Sequence, residues 1–191
     1  FDGRGYTVKN LKISNGGQGI GLFGNAKGAA IQNLKVEGEV TGQGWAGGIV
    51  GKMASGTVEN CVSEVVVQIT RSRAGGIVGE ASAVSGPMVI RNCYSTGDVS
   101  SSASDSSEES VSGIAGYGSN VSVEYCYSIG EISGPCRVGG IVGNAVQVTV
   151  SDCAALGLSV TMKAGLEAEG QIGRVSGVGY GSTTYEGNFG R

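Results

Sequence analysis

The chain has 191 residues, 13 basic and 16 acidic side chains, no histidine, and 37 glycines, against roughly 7 percent glycine in ordinary usage. So glycine-rich a backbone argues against long helices, and 24 Val and 12 Ile against 6 Leu suit pleated strands. A net charge of −3 offers no field for nucleic acid or an anionic membrane, and the missing histidine removes the commonest general base and transition-metal ligand. The opening Phe1-Asp2-Gly3 reads as the end of a strand, and Val8-Lys9-Asn10-Leu11 is the first copy of a block that recurs down the chain. A second block, two glycines framing two apolar residues, starts at Gly21 and returns at Gly48, Gly76, Gly113 and Gly140, at spacings of 27, 28, 37 and 27. After each comes a relative of the first block: Ile31 to Leu34, Val58 to Cys61, Ile90 to Cys93, Val123 to Cys126 and Val150 to Cys153. A third, Gly-x-Val/Ile, follows at Gly38, Gly97 and Gly130, with Val65 to Val67 as a glycine-free variant.

Three short apolar segments per repeat, separated by Gly, Ser and Asn turns, predict three strands and three corners. A unit of that size cannot bury its own apolar side, so stacked units must share one core. The expected fold is all-β, a parallel β-helix of about six coils with three short strands each; parallel crossovers favour the right hand. Residues 1–164 form the repeats, and 165–191 a degenerate last coil or cap. Because solenoid ends need covering, the chain is expected to be a segment of a longer polypeptide.

Stacking converts the alignment into columns. Leu11, Leu34, Cys61, Cys93, Cys126 and Cys153 share one position. A zinc site wants ligands converging on one point, and disulfides between in-register rungs need side chains turned out of line; the spacing favours small apolar side chains in a leucine slot. Just before them, Asn10, Asn33, Asn60 and Asn92, then Tyr125 and Asp152, predict a corner ladder of amides, since asparagine tolerates left-handed backbone. Outside it, Glu59, Arg91 and Glu124 alternate in sign on a solvated face.

Function is less plainly written. Asp98 and Glu131 fall on adjacent rungs, a like-charge pair that could be bridged by calcium or supply two carboxylates for sugar hydrolysis, and equally two exposed acids pointing apart. Trp45, aligned with Arg73 and Arg137, is either an exposed sugar-stacking ring or a packed corner. The insertion from Ser100 to Ser110 reads as a mobile surface loop, and Cys136, after Pro135, as a surface thiol. Asn120-Val121-Ser122 fits a glycosylation sequon, a weak match. No catalytic residue and no cofactor is predicted.

The residues Gly47 to Gly51, Gly75 to Gly79 and Gly139 to Gly143, all GGIVG, with NCYS at Asn92 to Ser95 and the opening FDGRGYTVKNL, resemble the GLUG repeat. The likeness runs over about residues 1 to 155. It implies a right-handed β-helix of secreted or surface-attached bacterial proteins, adhesin-like proteins and non-catalytic regions of immunoglobulin A peptidases among them, and it carries no catalytic residues. The expected role is a structural or adhesive module that binds host glycan or glycoprotein, or other domains of its own chain, outside the cell and without membrane insertion. The other reading is a β-helix polysaccharide hydrolase or lyase using surface carboxylates.

Overall fold

A computed structural model describes residues 1–84, 86–104, 109–163 and 171–190. Among these residues every strand pairing is parallel, no helix occurs, and the strands form three stacked sheets: the chain is a parallel β-helix. One coil shows the plan. Ala29–Gly42 runs along the long sheet, Ala46–Gly47 crosses a narrow sheet, and Val50–Met53 returns on a third. The next coil repeats it with Gly56–Ile69, Arg73–Gly75 and Val78–Ser82, paired residue for residue with the coil before. In later coils the long run divides into three pieces, such as Met88–Arg91, Tyr94–Ser95 and Val99–Ser101. Each coil therefore has more short segments than the three predicted, grouped into three sheets.

The long run bends where a residue takes a left-handed conformation: φ is 54° at Asn33, 52° at Asn60, 51° at Asn92, 52° at Tyr125 and 51° at Asp152. Asparagine and aspartate tolerate this region through local hydrogen bonding, whereas tyrosine has no such compensation. The Asn60 amide donates to Asn33 Oδ1 at 3.3 Å, and the Asn33 amide donates to Asp2 Oδ1 at 3.1 Å. The first member of this ladder is therefore Asp2, not Asn10.

The placement of Leu11 and Asn10 is corrected by the register. Leu11 pairs with Gly38 and Val8 with Val36, so Lys9 and Asn10 together face the single residue Glu37. This is a bulge, and Asn10 adopts φ 56° to make it. The block Val8 to Leu11 therefore pairs with residues four to five positions beyond its look-alike Ile31 to Leu34, and the leucine slot begins at Leu34, which pairs with Cys61.

The interior is built from small and branched side chains, and among the described residues its buried apolar set contains no aromatic ring. Ile49, Ile77, Ile114 and Ile141, one from each of the last four glycine-framed blocks, are fully buried and fill the centre. The glycines beside them have two uses. A methyl group on Gly79 would come within 2.7 Å of the Ala46 nitrogen and oxygen and the Gly51 oxygen, so the narrow and third sheets meet backbone to backbone. A methyl group on Gly76 would run into the Ser95 hydroxyl and the Gly113 carbonyl, so this column faces a row of buried serines, Ser63, Ser95 and Ser128, on the long sheet.

Cys61, Cys93, Cys126 and Cys153 are free and buried on successive coils. Each thiol donates to the carbonyl two residues earlier at 3.2 Å, so a sulfur replaces leucine without leaving a polar group unsatisfied. Cys136 is also buried, at 3 percent exposure, which corrects its reading as a surface thiol. The insertion is corrected in part as well. Ser101, Ala103, Glu109 and Ser110 are buried, while 105–108 lie outside the described residues. Of the last segment, 164–170 and Arg191 also lie outside them; Ile172–Gly173, Ser176–Tyr180, Thr184–Glu186 and Phe189–Gly190 continue the sheets in register.

Candidate functional site

The outward positions of the narrow and third sheets meet along one edge of the helix. Trp45 and Arg73 occupy adjacent coils just before the paired Ala46 and Ala74, and Ser110, paired with Arg73, precedes Arg137 in the same column. On the third sheet the facing column reads Asn25, Lys52, Glu80, Tyr117 and Asn144. The two columns interlock. Lys52 Nζ lies 4.1 Å from the centre of the Trp45 ring and 2.9 Å from Glu80 Oε1. The Arg73 guanidinium lies 4.0 Å from the Tyr117 ring centre and pairs through Nη1 with Glu80 Oε2.

Glu80 is the hinge of this arrangement. It is 4 percent exposed, and it accepts from two cations whose other faces cover aromatic rings. A buried carboxylate is tolerable when both of its oxygens are paired with charge. Cation–π contacts of this kind hold the cations in place and leave half-buried Trp45 and Tyr117 fixed at the surface. Trp45 is thus packed on one face by Lys52 and still reaches solvent. Glu80 escaped the sequence reading because its column holds amide, lysine, glutamate and tyrosine in turn, with no repeated chemistry to mark it.

A second polar surface runs down the far edge of the long sheet. Ser14, Thr41, Gln68, Ser100, Ser133 and Thr161 stand on six successive coils, each in register with the next. The upper part of this column, with Gln43, Thr70 and Ser102, lines an open groove of about 570 Å³. Beside it Glu109 is buried, accepting from the Ser72 backbone nitrogen at 2.6 Å and the Ser101 hydroxyl at 3.1 Å. Most of this column could have been found from the sequence, since Thr41, Gln68, Ser100 and Ser133 directly follow the Val or Ile of the third block.

The two carboxylates considered for calcium or for hydrolysis lie on adjacent coils of the long sheet. Asp98 and Glu131 are exposed, and Asp98 Oδ1 accepts the backbone N–H of Glu131 at 2.8 Å, a contact that ties two coils together. Among the described residues no three His, Cys, Asp or Glu side chains converge on a point where a metal could sit. Burial and hydrogen bonding explain the thiols' behaviour. Its hydrogen bonds to Cys126 and Cys61, and then burial, hold the Cys93 thiol well above the usual range, and the bond to Cys126 with burial does the same for Cys153. Cys61 is shifted the other way by its hydrogen bond with Cys93, and Cys126, against its burial, by those with Cys153 and Cys93, so the four thiols alternate along one column.

No protein-family model matches the chain, and no curated protein matches it. Among solved structures it is similar to the crystal structure of a candidate immunoglobulin A1 protease from Bacteroides ovatus, with a TM-score of 0.70 at 23 percent identity. The match covers 98 percent of this chain and 58 percent of that one, so the β-helix spans a little over half the length of its structural neighbour.

Proposed function

We propose that the protein is a non-catalytic β-helix module of the GLUG type, carried by a secreted or surface-attached bacterial protein, and that it recognises host glycan or glycoprotein. The observation that carries this reading is the edge formed by Trp45, Lys52, Glu80, Arg73 and Tyr117, where rings and cations are held rigid around a buried carboxylate. Fixed aromatic rings beside charged and amide side chains suit sugar rings and their hydroxyls, because little side-chain entropy is lost on binding. Likeness to a protein described as a candidate immunoglobulin A1 protease supports a setting among secreted bacterial proteins, and the present chain would serve there as scaffold and recognition surface.

Trp45 is the single tryptophan, so its fluorescence reports this edge alone. The 191-residue protein should bind members of a panel of host glycans and matrix glycoproteins saturably, with a change in Trp45 emission, equally in calcium and in chelator. Trp45→Ala and Arg73→Ala should remove that binding while leaving the circular dichroism unchanged. Absence of binding across the panel, or binding unaffected by both substitutions, overturns the reading.

A further inference from the structure

A different column, on the outer face of the long sheet, is occupied from Tyr94 onward by aromatic rings with one member missing. Val62, Tyr94, Tyr127, Ala154 and Phe189 stand on successive coils in unbroken register. Tyr94 and Tyr127 stack with ring centres 4.7 Å apart and planes within 5° of parallel, which is the spacing of the strands themselves. Phe189 comes two coils after Tyr127, about 9.6 Å along the axis. Between them the side chain is only the methyl group of Ala154, itself half-buried and open to solvent. A ring on the Ala154 rung would lie about 4.8 Å from each neighbour, inside the 4.5–7 Å range that aromatic pairs prefer.

The rim decides which ring. Two residues along the same strands, Ile129 and Leu156 are 45 and 37 percent exposed, Leu158 beyond them is 82 percent exposed, and Phe189 is 59 percent exposed. Exposed aliphatic side chains gathered beside exposed rings mark a surface made for another apolar surface. They exclude water from a bound ring and give no donor or acceptor to a sugar hydroxyl, so a protein side chain fits better than a pyranose.

We infer that the gap over Ala154, walled by Tyr127 and Phe189 and rimmed by Ile129 and Leu156, is a socket for one aromatic side chain of a protein partner. The partner's ring completes the ladder begun by Tyr94 and Tyr127, and its flanking apolar residues cover the aliphatic rim. This surface is distinct from the Trp45 edge and stands whether or not that edge binds glycan.

The test follows the Ala154 methyl signal by alanine-methyl NMR on the 191-residue protein, titrated with N-acetyltryptophanamide and, separately, methyl β-glucopyranoside. The indole should move the Ala154 signal upfield saturably, by ring current, and the glucoside should leave it in place. Phe189→Leu keeps an apolar wall but removes a ring face, and should weaken indole binding about three- to tenfold. Ala154→Phe fills the gap with the protein's own ring and should abolish the response, read at the Leu156 methyls, without lowering the melting temperature. Silence toward both probes, a response to the glucoside in place of the indole, or an Ala154 shift produced by raising protein concentration alone would each overturn the socket, the last by making a second copy the occupant.

Discussion

The hydroxyl of Ser128 donates to the carbonyl oxygen of Gly140 at 2.6 Å, joining the long sheet to the glycine column across the interior. Ser95, one coil earlier in the same row, is equally buried, yet its hydroxyl has no hydrogen-bond partner among the described residues. The two serines should therefore respond oppositely to truncation. Ser128→Ala is expected to lose about 1 kcal/mol in chemical denaturation, and Ser95→Ala to be neutral or to gain up to about 1 kcal/mol. Equal losses at both positions would show that the row acts through shape and not through hydrogen bonding.

Tyr125 holds the left-handed corner that asparagine holds on three other coils, and its side chain is 58 percent exposed, so nothing in packing repays the conformation. Tyr125→Asn should raise the unfolding free energy by about 1 kcal/mol. The reverse change at a matching corner, Asn60→Tyr, should cost a similar amount and also break the bond to Asn33. A melting curve for each variant checks both.

Glu80 pairs with both Lys52 and Arg73 from a buried position, one negative charge shared between two cations. Glu80→Gln leaves both cations without their counter-charge and should cost about 2–3 kcal/mol, less than a fully buried pair because both cations are partly exposed. A blue or red shift of Trp45 emission should accompany it, since Lys52 would no longer be pinned over the ring. Unchanged emission with unchanged stability would show that Glu80 does not organise the edge.

The Asp2 carboxyl is held below its usual range by the backbone N–H of Arg4 and the side-chain amides of Asn33 and Gln32. Because the folded value is depressed, this contribution to stability is present above about pH 3.9, the unfolded value, and is lost as pH falls through the folded one. The difference in melting temperature between the parent protein and Asp2→Asn should be largest near neutrality and shrink toward pH 2. A difference independent of pH would assign the effect to shape alone.

All five cysteines are buried and free. A thiol reagent at pH 8 should find almost none in the folded protein and five in denaturant, and the folded protein should react at the rate of its opening and not of the chemistry. Fewer than five under denaturing conditions would mean disulfides and a different packing of the column.

The repeat was legible because stacking forces each interior position to be refilled by the same kind of side chain, as Leu34, Cys61, Cys93, Cys126 and Cys153 show. It misled at Leu11 and Asn10, whose block pairs with the residues just after the block it resembles, a displacement that identical letters conceal. The narrow sheet was also hidden, since its strands are two or three residues long and contain glycine at the positions that decide their packing. Cys136 and Glu109 lie in segments whose composition reads as turn or loop, and only the folded corner shows them inside. The Trp45 edge was half visible: the column of Trp45, Arg73 and Arg137 could be aligned, but Glu80, which binds it together, belongs to another sheet.

Unbroken register gives the molecule a unit of length. Successive coils advance about 4.8 Å while the cross-section stays the same, so a surface feature's position along the axis is a whole number of coils. Trp45 itself lies four coils before Ala154, about 19 Å along the axis, and the edge it begins ends two coils on, at Tyr117. Inserting one complete repeat between Tyr117 and Tyr127 would lengthen that distance by a single graduation and leave the contacts of the edge and the two walls of the gap as they are, which makes the β-helix a ruler on which recognition surfaces can be moved apart without being rebuilt.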